Sequence, residues 1–333
     1  MKAIVFTEKN KISYQDITTP SLEKEQVLIA VRASGMCHTD LEILRGNYGS
    51  SAFPLVPGHE YAGTVVQIGD EVTKVKVNDN VVVDPNIECG YCLSCQNNNA
   101  HLCETLGAYG VTVNGGFAQY SVVHQNALHD IEDLPFHIAA LAEPLGCALN
   151  GVGAVKAGDS NNALIFGAGP MGLLFALAAK DKGAKKITFV DISSDRLILA
   201  ESMGFNAMQS NEENLANLNK EFDLVVDATG LIKVAEKLIN YVHDGGKIMH
   251  LGICPPDAKM EISPFEIFRR QLTIAGSHSL NHHNIKEALV TIHNCIPELE
   301  KIVTHKLTIE DIATCMQQGA PKDSLKIQAV WDN

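Results

Sequence analysis

Over residues 1–140 short β-branched runs recur between turn-forming residues, at 2–6, 26–33, 62–68 and 80–83. Such runs predict strands, because branched side chains fit a pleated, half-buried surface. Between 65 and 83 charges and aliphatics alternate around Gly69-Asp70-Glu71, as in a barrel with one wet face. Residues 85–104 break the pattern with cysteines and asparagines and read as an excursion loop; 115–123 returns to strand. From residue 141 the texture changes. Apolar strands at 163–166, 186–191, 223–227, 247–252 and 272–276 are spaced by helical segments at 172–181, 195–202, 231–242 and 264–270. Strands alternating with helices predict a parallel sheet with right-handed crossovers. A further amphipathic helix is expected at 285–294, and the tail from 307 to 331 reads as mixed β that packs back on the first domain.

One segment imitates a membrane span: residues 163–179 hold no charged side chain. The run is short of the ~20 residues a span needs, and Gly167-Ala168-Gly169-Pro170 splits it, so a buried strand, a turn and a buried helix account for it better. A formal charge of −13 argues against nucleic acid or an anionic membrane surface as partner. The N-terminal residues carry no apolar stretch of signal-peptide length, which makes the cytoplasm the expected location. Nine cysteines without such a signal suggest thiols or metal ligands, not disulfides.

Four of those cysteines, Cys89, Cys92, Cys95 and Cys103, fall within fifteen residues. Four thiolates at short spacings complete a tetrahedral zinc site with no open position, which can hold a loop together but cannot bind substrate. An iron–sulfur cluster would need other spacings.

Gly167-Ala168-Gly169-Pro170-Met171-Gly172 follows a predicted strand and opens a predicted helix. There the first glycine makes the turn, the second lets backbone approach a pyrophosphate, and the third lets helix pack on strand. The helix N-terminus then presents N–H groups to the phosphates. Asp191 ends the second strand of this unit, 24 residues after Gly167. A carboxylate there hydrogen-bonds the ribose hydroxyls and repels a 2′-phosphate, favouring NAD; the same residue could instead cap the following helix. Arg196 fits either a place near the adenine or a solvated helix face.

His59-Glu60, flanked by Gly58 and Gly63, supplies an imidazole and a carboxylate, and Cys37 adds a thiol upstream. These are ligand types that zinc accepts. The cysteine–histidine–glutamate set, the four-cysteine loop and the later glycine fingerprint occur in the order found in the zinc-dependent medium-chain dehydrogenase/reductase family, which this chain resembles over essentially its whole length. The resemblance implies a GroES-like catalytic domain at 1–142 and 278–333, carrying a structural-zinc loop at 85–104, and a doubly wound Rossmann NAD-binding domain at 143–277. The active site would lie in the cleft between them.

Ala142-Glu143-Pro144-Leu145 and Asp191-Ile192-Ser193-Ser194-Asp195-Arg196 resemble the polyol (sorbitol, xylitol, arabinitol) branch. This implies a catalytic zinc on Cys37 and His59, with Glu60 and Glu143 competing for direct or water-mediated contact, and with Asp40 orienting His59. Thr39 resembles the proton-relaying hydroxyl and His38 a pyrophosphate contact. Thr229, Leu251, Gly252, Ser277 and His278 complete the implied cofactor contacts. Two positions depart from the branch: Glu42 stands where many relatives place the relay's outer histidine, and Gly276-Ser277-His278-Ser279-Leu280 replaces a substrate-binding Arg-Tyr, which weighs against sorbitol. The expected activity is oxidation of a secondary hydroxyl of a polyol to a ketone, with two zinc ions per chain and NAD, in a homodimer or homotetramer. A polyol phosphate, threonine or a simple secondary alcohol are the alternative substrates. An NAD-binding redox sensor on the same fold is the alternative outside catalysis.

Overall fold

The strand Gln26–Gly35 is rich in aliphatic and small residues and buries seven of its ten positions. It can therefore serve several neighbours, and it pairs antiparallel with Glu60–Ile68, Tyr120–His124 and Lys326–Val330. The computed structural model describes residues 1–48 and 52–331, and its chain divides into two units, Met1–Glu143 with Asn281–Asn333, and Pro144–Leu280.

In the first unit a seven-stranded sheet runs in the order Val303–Leu307, Lys326–Val330, Gln26–Gly35, Glu60–Ile68, Asn80–Val83, Leu128–Asp130, with Tyr120–His124 also on Gln26–Gly35. Val27, Ile29, Val31, Tyr61, Val65, Val81 and Val123 form one buried cluster on it. Each such side chain contributes about 1.5–3 kcal/mol by leaving water. Of the stretch expected as strand at 115–123, only its end is strand, in Tyr120–His124. Its first residues bond instead to the segment that carries His59: Gly115 N to Val56 O, Gly116 N to Gly58 O and Phe117 N to Pro57 O.

The tail also departs from expectation. Between the strands Val303–Leu307 and Lys326–Val330 lies a helix, Ile309–Gln318. Thr308 caps it, its hydroxyl accepting from Asp311 N. Ile309, Ile312, Ala313 and Met316 sit at helical spacing and are buried with Ile4, Phe6, Ile43 and Ile327. The cap and that spacing outweigh the β-branched residues that suggested strand.

The second unit holds a six-stranded parallel sheet in the order Asn206–Gln209, Lys186–Asp191, Asn162–Phe166, Phe222–Asp227, Val242–His250, Thr273–Gly276. The chain starts in the middle, moves to one edge, then returns and moves to the other, which is the doubly wound Rossmann order. The apolar run at 163–179 becomes a buried strand and the helix Pro170–Asp181, whose residues from Gly172 to Ala179 are all buried. Asn206–Gln209 is a strand the pattern did not predict; it is a polar edge with little burial to mark it. The helix expected at 231–242 is only Ile232–Ala235, because Val242 is drawn into the sheet opposite Phe222. One helical run, Phe136–Val155, is long and apolar enough to cross a membrane by length and composition, and 78% of that window is buried in the structure.

Candidate active site

Cys37 stands immediately before the helix His38–Leu44, and Asp40 occupies that helix's third position. From there the Asp40 carboxylate reaches back in two directions. One oxygen accepts from Cys37 N at 2.9 Å; the other accepts from Gly58 N at 3.2 Å and lies 3.5 Å from His59 Nδ1. Asp40 is fully buried, so it is not a solvated helix acid. Its geometry ties the Cys37 segment to the His59 segment.

Gly58 adopts φ +93°, and a Cβ there would lie 2.6 Å from the Phe117 ring, so only glycine fits. Next in the chain, His59 and Glu60 enter the strand Glu60–Ile68 and are 7% and 1% exposed. Ligand atoms of Cys37, His59 and Glu60 lie within 4.8 Å of one another. That is about twice a zinc–ligand bond, and thiolate, imidazole and carboxylate are a donor set zinc accepts. His59 Nδ1 is buried without a hydrogen-bond partner within ordinary reach. Burial alone would push this imidazole's pKa down, but the charges of Asp40 and Cys37 outweigh it and hold it well above the usual histidine range.

Glu143 lies in the first turn of the helix Ala142–Val155 and is 7% exposed, but it stands outside the cluster of three ligand atoms. A residue the sequence reading missed stands inside it. Lys326, 5% exposed, donates to both carboxylate oxygens of Glu60 at 2.7 Å and to Met36 O at 3.4 Å. Burial works to lower its pKa, but Glu60, Cys37 and Glu143 together raise it, so Lys326 stays charged. The only sequence signal was a lysine in an otherwise buried strand, and 266 residues separate it from Glu60.

Thr39 is half-buried and His38 exposed, with His38 Nε2 3.4 Å from Glu42. The Glu42 carboxylate accepts from Asn47 at 2.8 Å and from Arg45 at 2.6 Å, and these two bonds lower its pKa. It is thereby held as an anion.

The four loop cysteines also come together, with their sulfurs within 4.8 Å of one another. The helix Leu93–Gln96 starts after Cys92 and sets Cys95 one turn on. Cys89 N donates to Cys103 Sγ at 3.3 Å and Cys92 N to Cys89 Sγ at 3.4 Å. The Cys89 amide pulls the Cys103 thiol down to about 6, whereas burial pushes the Cys95 thiol up to about 12. Four sulfurs gathered this closely fit a tetrahedral zinc.

In the second unit every candidate cofactor residue sits at or just beyond the C-terminal end of a strand or on the helix that follows, where doubly wound sheets bind ligands. Gly167 follows Asn162–Phe166 with φ +102°, and a Cβ on Gly172 would be 2.0 Å from Gly167 O. Gly169 stands before Pro170 and Met171 at the head of the helix Pro170–Asp181 and offers no capping side chain, which leaves first-turn N–H groups for an anion. Asp191 accepts from Ala168 N at 2.7 Å and Ser193 N at 2.8 Å, bracing the glycine turn; the helix cap is Ser193. Arg196 is half-buried, with Nη1 3.8 Å from where a Cβ on Gly169 would be. Thr229 donates its N–H and hydroxyl to Asp227, whose carbonyl accepts from Leu251 and Gly252. Ser277, with a buried and unpartnered hydroxyl, and the exposed His278 follow Thr273–Gly276.

Two family models match in chain order, the alcohol dehydrogenase GroES-like domain over residues 23–133 and the zinc-binding dehydrogenase domain over 170–294. The chain belongs to the zinc-dependent medium-chain dehydrogenase family, oxidoreductases acting on CH–OH donors. It is 46% identical to D-altritol 5-dehydrogenase of Agrobacterium fabrum, covering 94% of each chain. It is 31% identical to D-arabinitol dehydrogenase 1 of Uromyces fabae, over 98% of this chain and 96% of that one. Among solved structures, a zinc-binding dehydrogenase of Sinorhizobium meliloti bound to NADP superposes with a TM-score of 0.92 at 26% identity, covering 99% of both chains.

Proposed function

We propose that this protein is a zinc- and NAD-dependent polyol dehydrogenase that oxidises a secondary hydroxyl of a sugar alcohol to a ketone. One observation carries the reading: a half-buried thiol and a buried imidazole and carboxylate converge at Cys37, His59 and Glu60 in a chain nearly half identical to an altritol dehydrogenase. Cys37 and His59 would hold the catalytic zinc, with Glu60 or Glu143 completing the set, and Cys89, Cys92, Cys95 and Cys103 a second, structural zinc. When bound, zinc supplies Lewis acidity toward the substrate hydroxyl, and the nicotinamide accepts the hydride.

The chain's own residues do the rest. Asp40 keeps the His59 ring turned toward the centre and joins it to the Cys37 segment. The Thr39 hydroxyl would pass the substrate's proton outward. Glu42, engaged by Arg45 and Asn47, is held as an anion and is a poor carrier for the next step, so the relay leaves Thr39 through water. The glycine turn and the uncapped helix at Pro170 take the pyrophosphate. Asp191 presents a carboxylate to the adenosine ribose, which favours NAD over its 2′-phosphorylated form.

Zinc-replete protein should reduce NAD with altritol or arabinitol, and more slowly or not at all with NADP. A panel of free polyols, polyol phosphates, threonine and simple secondary alcohols tests this. Turnover on threonine or a phosphate alone would reassign the substrate, and no turnover on any member would overturn the reading.

A further inference from the structure

Four groups able to carry negative charge gather around the first unit's centre: Cys37, Asp40, Glu60 and Glu143. Asp40, Glu60 and Glu143 are buried, Cys37 half so. A divalent ion cannot neutralise all four. Lys326 offsets one of the two charges left, and its geometry is saturated: an ammonium has three donors, and the acceptors around Lys326 Nζ are Glu60 Oε1, Glu60 Oε2 and Met36 O. The last of these is the carbonyl of the residue before Cys37. Glu60 is thus gripped on both oxygens by a buried cation while its carboxylate also lies in the ligand cluster with Cys37 and His59.

A carboxylate in that position serves two cations, and whatever one takes the other loses. We propose that Lys326 competes with the metal for Glu60, and so sets how firmly the centre holds zinc and keeps a coordination position free for substrate. Lys326 is in this sense a positioning residue acting through Glu60. The inference rests on the reading above that zinc occupies the Cys37–His59 centre.

Lys326→Met removes the competitor and leaves the buried Glu60 charge with the metal as its main partner. Release of zinc to a chelator, followed with a chromogenic indicator, should then slow about tenfold. Turnover should fall, because the position substrate needs is taken. Lys326→Arg should stay near wild type in both measurements. A fold-supporting role alone predicts the opposite for Lys326→Met, namely zinc lost as fast as in wild type or faster, and that result would overturn the proposal.

The double variant Lys326→Met/Glu60→Gln replaces the ion pair by a neutral one and guards against a single variant that does not fold. Compared with Glu60→Gln alone it should release zinc at the same rate; a difference would place the action of Lys326 elsewhere and sink the idea. Cys37→Ser separates the two readings. If wild type holds no zinc that Cys37→Ser removes, the metal centre itself is wrong. If that zinc is present and Lys326→Met does not slow its release, only the role of Lys326 falls.

Discussion

The two ligand clusters of the first unit are built on opposite plans. The cysteine loop draws all four sulfurs from fifteen consecutive residues, holds them with its own backbone N–H groups, and needs no charged partner. The Cys37–His59–Glu60 centre is assembled from a helix start and a strand start that only the sheet brings together. It is braced by Asp40 from one side and by the chain's last strand from the other. A local cluster of like ligands closes on a metal and becomes a staple. A dispersed cluster of unlike ligands leaves an incomplete shell amid buried charge, which is what catalysis on a bound hydroxyl needs. The difference teaches that stability and chemistry are separable here, and substitutions should separate them.

The largest effect is expected from Cys37→Ser. Losing the thiolate should remove one zinc per chain and cut kcat/KM by roughly 10³-fold or more, the scale of several kcal/mol of lost charge stabilisation. The thermal midpoint should move little. Metal analysis beside kinetics and a melt checks all three, and a large drop in the midpoint would mean that this centre, too, is a staple. Cys103→Ser should do the reverse. One zinc is again lost, but the cost appears as stability, on the order of several kcal/mol in denaturant, while turnover per folded, zinc-bearing active centre stays near wild type. Equal loss of both quantities in the two variants would erase the contrast.

A third substitution probes the span between the clusters. Asp84 is buried where the chain leaves the strand Asn80–Val83 for the cysteine loop. Burial raises its pKa to about 7, and the charges of Glu88, beside the first cysteine, and Glu143 push the same way against one backbone hydrogen bond from Asn86. The folded protein therefore binds this proton more tightly than the unfolded chain does. The associated stability is present below about pH 4 and is lost as pH rises toward 7. Relative to Asp84→Asn, wild type should lose up to about 4 kcal/mol of unfolding free energy across that window. Taking the difference at each pH removes the titration of the metal sites from the comparison. A flat difference would show that Asp84 is solvated or paired in solution.

How much could be read beforehand follows the same division. The cysteine loop and the glycine turn were legible because their chemistry needs fixed short spacings, and spacing is what a sequence displays. Asp40 was legible as well, being three positions after Cys37 on a helix. Lys326 was not: its approach to Glu60 depends on Lys326–Val330 pairing with Gln26–Gly35, which in turn pairs with Glu60–Ile68, and no local pattern encodes that order. The edge strand Asn206–Gln209 escaped for a different reason, having no buried residue and so no apolar signature. The tail helix was visible in principle. Thr308 and Asp311 mark its start and Ile309, Ile312, Ala313 and Met316 its face, but the flanking valines and isoleucines drew the reading toward strand.

That helix offers the smallest and most discriminating test. It buries its apolar face in the cluster that contains Ile327, the neighbour of Lys326. Thr308→Ala removes the hydroxyl that accepts from Asp311 N at 3.2 Å and donates to Asp311 Oδ2 at 2.7 Å. The expected cost is about 1 kcal/mol, the ordinary value of such a cap, read as a shift in the urea midpoint. Zinc content and the rate of zinc release should not change, because a frayed first turn loosens Ile309 before it reaches the strand behind it. If zinc release does change, the last strand is not a fixed post for Lys326, and the active centre's hold on metal would be coupled to packing well outside its ligand shell. The cysteine loop, whose sulfurs accept from its own backbone N–H groups, should be indifferent to Thr308→Ala in either case.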